Sequence, residues 1–391
     1  MISVELAIAS INQEVKGTSH HEIIPLEKSL DRVIAQNIHT PIAMPPFRQS
    51  SMDGYAVYVH NLITYEIIGE IKAGDNHTFE LKKGQAVRIF TGAPVPDTAN
   101  AIVIQEHTHK KDSTLYCENT IAIGDYIRPI GEQIELNNLA LSPNTTITSS
   151  TIGFLAGLGI TTVPVYKKPS VSLIITGNEL AQPGEKLNKG QVYDSNSIML
   201  KSALTQLGID IVTIHHVPDN YEDTRHLIAS TIKQSDFTII SGGISVGDYD
   251  FVYTALQEIN VKELFYKVKQ KPGKPLYFGK KEGHFIFALP GNPASALSCF
   301  YIYVRNAIFL FENRNTRHLN GTLKKATNSF IKKGNRAQFL KAYTEGNIVE
   351  ILDSQASSML NSFAVANALV YLPEEKQQIT PEEMITVIPI S

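Results

Sequence analysis

The stretch "FALPGNPASALSCF", Phe287 to Phe300, ends an apolar strand pattern with two prolines, a glycine and an asparagine, then opens a helix at once. A simple change of direction needs fewer special residues. Asn292 suits the N-cap and Pro293 the first helical position, where its missing N–H costs nothing. The open N–H groups of that first turn, with the helix dipole, favour an anion, and Ser295 adds a hydroxyl. Taken alone, the stretch is better read as a plain strand-to-helix turn, so its surroundings decide.

Upstream, from 170 to 312, strand and helix patterns alternate. "SVSLIIT", "IDIVTIHHV", "FTIIS" and "HFIFAL" read as strands, and "SNSIMLKSALTQLG" and "NYEDTRHLIASTIKQ" as helices, with another near 250–259. This alternation predicts an α/β fold, a doubly wound parallel sheet with helices on both faces. Residues 3–16 carry Val4, Ile8, Ile11 and Val15 on one helical face, and about 40–145 breaks into short apolar runs such as "YAVYV" and "AIVIQEH", an antiparallel β region. "ENRNTRHLNG" (312–321) reads as a linker, and 322–391 as a small β domain. The expected domains are 1–168 (two subdomains, with a β-rich insert at about 50–140), 169–312 and 322–391.

The chain has 391 residues, 43% hydrophobic and 19% charged, which predicts a folded protein of several domains. The net charge of -3 argues against nucleic-acid binding. Cys117 and Cys299 are the only cysteines, which excludes a disulfide framework and a cysteine zinc site. The start, with Glu5 and Glu14, lacks the basic region of a signal peptide. No apolar run approaches ~18 residues, because Arg305 and Asn306 interrupt "CFYIYVRNAIFLF". A cytoplasmic protein with no membrane partner is expected.

Ligands of doubly wound sheets bind beyond the carboxyl ends of the strands. Besides "LPGNP", that edge gathers "ITGNEL", "SGGISVGDYDF" and "KQKPGKP". Gly242 and Gly243 let backbone N–H groups approach a phosphate, and Asp248 and Asp250 suit a divalent ion beside it. Asp248 is equally an N-cap for the next helix. Lys267, Lys269 and Lys271 alternate, so on a strand they converge on one face; a solvated run is an equal reading. Glu179 can bind a metal or a hydroxyl. Asp53-Gly54 and Thr91-Gly92 sit in loops over-specified for simple turns. His107, His109, His215 and His216 have no third ligand at metal spacing. The residues alone predict an enzyme that binds phosphate or another oxyanion with a divalent cation.

"SSMDGYAV", "RIFTGAPVP", "ITGNEL", "VYDSNS", "SGGISVGDYDF", "KPGKP" and "LPGNPASA" occur together in this order. In this the whole chain resembles the molybdopterin molybdenumtransferase family, MoeA in bacteria, related to gephyrin's E domain. The resemblance implies insertion of molybdate into adenylylated molybdopterin with release of AMP, dependent on Mg²⁺ or Zn²⁺. It also implies a homodimer of elongated four-domain subunits, with a C-terminal β-barrel and molybdopterin adenylyltransferase and apo-molybdoenzymes as possible partners. Carried over position by position, Asp250, Asp248 and Glu179 hold the cation, and Gly242, Gly243 and Ser245 line the phosphate loop. Lys271, Lys274, Ser295, Arg336 and Ser357 meet molybdate or the pterin phosphate, and Asp53 and Thr91 reach in from the partner subunit; Lys267 is expected at the substrate from the lysine alternation alone.

Two positions depart from the family pattern. "GEQI" places Gln133 where an aspartate is usual, removing a charge. Ala356 replaces a glycine before Ser357, and alanine resists positive φ. Two rival readings are an adenylyltransferase, which needs only the 169–312 domain, and a non-catalytic scaffold, which does not need Asp250 or the lysines.

Overall fold

The computed structural model describes residues 1–61, 63–244, 251–316 and 321–390. The chain divides into two compact units, Met1–His20 with Tyr166–Ser391, and His21–Val165.

At the centre of the first unit is a six-stranded sheet in the order Val212–Val217, Val171–Thr176, Phe237–Ser241, His284–Leu289, Tyr277–Lys281, Lys262–Tyr266. The first four strands run parallel. Val171–Thr176, Phe237–Ser241 and His284–Leu289 are buried at every position, as expected of a parallel sheet covered on both faces. Helices Val4–Glu14, Asn196–Gln206 and Pro293–Phe311 pack one face. Tyr221–Thr231 and Phe251–Glu258 pack the other. The architecture is the doubly wound one, with an addition that the strand pattern missed. Tyr277–Lys281 joins antiparallel to its neighbours, turning into His284–Leu289 through Glu282 and Gly283, both at positive φ (50° and 86°). Its "YFGKK" mixes aromatics with lysines and hides the period.

Pro293–Phe311 is a 19-residue helix apolar enough to cross a membrane, contrary to the expectation of no such run, but it is 89% buried inside the unit. The two residues that seemed to interrupt it are buried and partnered. Arg305 donates to the carbonyls of Tyr301 and Pro389, and Asn306 donates to Asn12 Oδ1. A polar side chain inside a core helix is tolerated when its donors are met.

The C-terminal strands Thr322–Ala326, Ala337–Glu345, Ile348–Ile351, Ala368–Leu372 and Met384–Pro389 close into a five-stranded barrel. The short strand Gln270–Lys271 adds parallel to Ala337–Glu345, so the lysine-rich segment is stitched to the barrel.

The second unit holds a six-stranded sheet in the order Ala101–Ile104, Gly54–Val57, Gln85–Ile89, Thr64–Ile71, Thr114–Cys117, Thr108–Lys111. It is antiparallel as predicted except for one pair, Thr64–Ile71 with Gln85–Ile89, which runs parallel because the long connection after Ile71 carries the chain back to the same end. A separate core around Ile34, Ile147, Leu155 and Val165 holds the rest of the unit.

Candidate functional site

A cavity of about 520 Å³ opens at the carboxyl ends of the four parallel strands. Each strand sends one loop into its wall: Thr176 to Glu179, Asp219, Ser241 to Ile244, and Pro290 to Pro293. Gly242 and Gly243 have φ of 99° and 59°, and a Cβ on Gly242 would lie 2.5 Å from Thr176 Oγ1. Only glycine folds this way here, which leaves backbone facing the cavity without side chains in front of it. Ser245, Asp248 and Asp250 lie outside the described residues.

"VYDSNS" turns out to be the brace of this cavity. Asn196 is buried, and its Nδ2 donates to Ser241 Oγ at 2.8 Å and to the Gly291 carbonyl at 2.7 Å, joining two of the four loops. Asp194, 1% exposed, accepts the Ser197 N–H at 3.0 Å and faces His216 Nε2 at 2.9 Å. Burial works to raise its pKa, but the Ser197 hydrogen bonds and His216 outweigh it and hold the carboxyl below the usual aspartate range. Asp219 and Asn178 exchange backbone-to-side-chain bonds of 3.1 and 3.3 Å and fix the turn that presents Glu179, which is exposed. Asp194, Asn196 and Asp219 were not among the residues expected to serve the site. For Asp194 alone a signal was present, in "DSN" ahead of a helix, an aspartate three residues before the N–H it caps.

A second cluster adjoins the cavity at Asn292 and Pro293. The Ser295 N–H donates to the Ser357 carbonyl at 3.2 Å, and Asn292 Nδ2 lies 3.4 Å from Ser357 Oγ. The open first-turn donor expected at Ser295 is therefore taken, and Ser295 itself is 2% exposed. Gly273 packs on the same helix, where a Cβ would lie 2.4 Å from Cys299 Sγ, so "KPGKP" is pressed against it. Buried Gln270 holds that loop from below, donating to the Pro272 and Gly273 carbonyls, while Arg336 Nη1 donates to the Gln270 carbonyl at 3.1 Å. Lys271 and Lys274 are exposed at the surface of this cluster.

The convergence expected of alternate lysines does not occur. Lys267 has φ of 66° and lies over the Tyr266 ring, and Lys269 pairs with Glu374. The strand that would have aligned them is only Gln270–Lys271. Ala356 causes no conflict, since the positive φ of its loop falls on Ser354, at 58°.

In the other unit, Asp53 Oδ1 accepts both the backbone N–H and the hydroxyl of Thr91 at 2.8 Å. The antiparallel register Gly54↔Ile89 brings the two loops together. The Thr91 backbone bond, then its hydroxyl, keeps the Asp53 carboxyl ionised to lower pH than usual. Gln133 is exposed in this unit, with its N–H on the Met44 carbonyl.

The chain matches the MoeA N-terminal region (domain I and II) over residues 2–159, a probable molybdopterin binding domain over 172–309, and the MoeA C-terminal region (domain IV) over 324–390. It is 30% identical to the molybdopterin molybdenumtransferase of Haemophilus influenzae, spanning 100% of this chain and 99% of that one. The chain belongs to the molybdopterin molybdenumtransferase family. Another member, from Bacillus subtilis, is 30% identical over 90% of this chain and 86% of its own length. The crystal structure of a molybdopterin biosynthesis MoeA protein from Pyrococcus horikoshii superposes with a TM-score of 0.83 at 28% identity, covering 100% of this chain and 99% of that one. Like these relatives, the chain is a transferase.

Three carboxylates line the cavity, Glu179, Asp219 and Asp194, the last engaged with Ser197 and His216, and no group of three His, Cys, Asp or Glu side chains that could hold a metal gathers among the described residues. Carboxylate oxygens are ligands that a hard divalent cation such as Mg²⁺ accepts alongside waters and substrate phosphates.

Proposed function

We propose that this chain inserts molybdenum into molybdopterin in molybdenum cofactor biosynthesis, taking molybdate and adenylylated molybdopterin and releasing AMP. The observation that carries the reading is the joining of two features in one unit: a glycine-walled cavity at the strand ends, and the Lys271–Lys274 loop, which packs through Gly273 on helix Pro293–Phe311, reaches the cavity wall at Pro275 and is tied to Arg336 through the Gln270 carbonyl. The cavity takes the nucleotide phosphate on the backbone of Gly242 and Gly243. The cluster takes molybdate, a tetrahedral dianion suited to lysine, arginine and hydroxyl donors.

Two anions brought side by side repel, by about 4 kcal/mol per pair of unit charges at 4 Å and an effective dielectric of 20. The two lysines and Arg336 offset this and orient the oxyanion, and the Ser357 hydroxyl supplies a directed donor. A bound divalent cation would neutralise the pyrophosphate; Glu179 and Asp219, with Asp248 and Asp250, would hold it.

In this reading the working form is a cytoplasmic homodimer, the Asp53–Thr91 pair of each copy serving the other's cleft. The substrate comes from molybdopterin adenylyltransferase and the product passes to apo-molybdoenzymes. The test is reconstitution: with adenylylated molybdopterin, Mg²⁺ and molybdate, the chain should activate an apo-molybdoenzyme, and Asp250→Asn should not. Full activation by Asp250→Asn would defeat the assigned cation site, and no activation by the unaltered chain would defeat the reading.

A further inference from the structure

Lys341 sits in the middle of strand Ala337–Glu345 and is 3% exposed, an unusual place for a lysine. Its side chain does not reach solvent. The Nζ donates to the carbonyls of Ser354, of Met359 at 2.9 Å and of Ala356 at 3.4 Å, and lies 5.7 Å from the centre of the Phe363 ring. An ammonium has three N–H donors, and here three carbonyls of one loop meet them. Gln355 ties the same loop to the strand, its Oε1 accepting the Lys341 N–H at 2.9 Å and its Nε2 donating to the Lys341 carbonyl at 2.9 Å.

The loop so held carries Ser357, whose carbonyl takes the Ser295 N–H and whose hydroxyl lies by Asn292. The Ser354 carbonyl also accepts from the Ser362 hydroxyl and the Ala356 carbonyl from the Met359 N–H, but only the ammonium gathers both with the Met359 carbonyl under one charge, so removing it leaves inward-turned carbonyls under-satisfied and loosens the loop. We propose that Lys341 is a positioning residue for the oxyanion cluster: it sets the loop that holds Ser357 against Ser295 and Asn292, on the helix terminus against which the Lys271–Lys274 loop packs. This rests on the reading that Ser357 meets molybdate.

The experiment compares Lys341→Met and Ser357→Ala with the unaltered full chain, measuring KM for molybdate and for adenylylated molybdopterin separately, and the melting temperature. Lys341→Met is expected to raise the molybdate KM roughly tenfold or more, the effect of a misplaced contact, with the pterin KM within about twofold. Should Lys341→Met not fold, Lys341→Arg, which keeps the charge but moves the donors, is read the same way. If Ser357→Ala raises the molybdate KM and neither Lys341 variant does, the positioning role is overturned while the reading of Ser357 stands. Equal rises in both KM values for the Lys341 variants, with a lowered melting temperature, would mean general structural damage and also overturn it. If Ser357→Ala leaves the molybdate KM unchanged, the reading of Ser357 fails and the proposal falls with it.

Discussion

The backbone N–H of Ser295 donates to the carbonyl of Ser357 at 3.2 Å. This bond joins the first turn of the core helix Pro293–Phe311 to a loop of the C-terminal barrel. It also uses up a donor that an anion at the helix terminus would want. In the proposed function, the charge of the bound oxyanion is met chiefly by the side chains of Lys271, Lys274 and Arg336.

Arg336→Lys keeps the charge but loses the planar fork. The expected outcome is a molybdate KM raised roughly tenfold, the worth of one charge-assisted hydrogen bond of about 1.5 kcal/mol, with little change in melting temperature. Steady-state kinetics at varied molybdate checks it; an unchanged KM would remove Arg336 from the cluster's function.

Gly242→Ala places a methyl 2.5 Å from Thr176 Oγ1 in a backbone at φ of 99°. Strain of about 1–3 kcal/mol is expected, read as a lowered melting temperature, together with weaker binding of AMP measured by calorimetry. A stable variant with normal AMP binding would contradict the phosphate-cradle assignment.

Asp194→Asn should cost about 1 kcal/mol at neutral pH, through the weakened bond to the Ser197 N–H in the first turn of helix Asn196–Gln206 and the lost His216 pair. The native carboxyl has a depressed pKa, so its contribution is present above the ordinary aspartate value and is lost as pH falls through the lower folded one. Urea melts of the two proteins should differ at pH 7 and converge as the pH drops below ~3.9.

Burial pushes the Lys341 ammonium down from 10.5 to about 8. The folded state then binds fewer protons than the unfolded one between those values, so this group makes stability rise with pH across that window. Function moves the other way, because a neutral amine has two N–H donors for three carbonyls. The molybdate KM should climb above about pH 8 in the unaltered chain, and Lys341→Met should lack that part of the climb.

Asp53→Asn keeps the size of the side chain but removes the charge, whereas Thr91→Val removes only one of the two donors to it. Asp53→Asn is expected to reduce turnover more than Thr91→Val. Equal, small losses would make the pair a loop clamp and nothing more.

Much of this was legible in the chain. The buried runs "SVSLIIT", "FTIIS" and "HFIFAL" announced a covered parallel sheet, and Gly242-Gly243 announced a loop that no side chain could make. Lys267 and Lys269 misled because alternation has meaning only on a strand, and Lys267 sits at a positive φ. Lys341 escaped for the opposite reason. It lies on a real strand in a run of buried residues, and nothing local says that a distant loop brings three carbonyls to it. Asn196 was likewise unreadable until Ser241 and Gly291, far away in sequence, came to its amide.

The most direct test of the central claim is AMP release from adenylylated molybdopterin and Mg²⁺, followed with and without molybdate. The account predicts release that depends on molybdate and saturates with it. Intact substrate bound with no AMP at any molybdate concentration would contradict it.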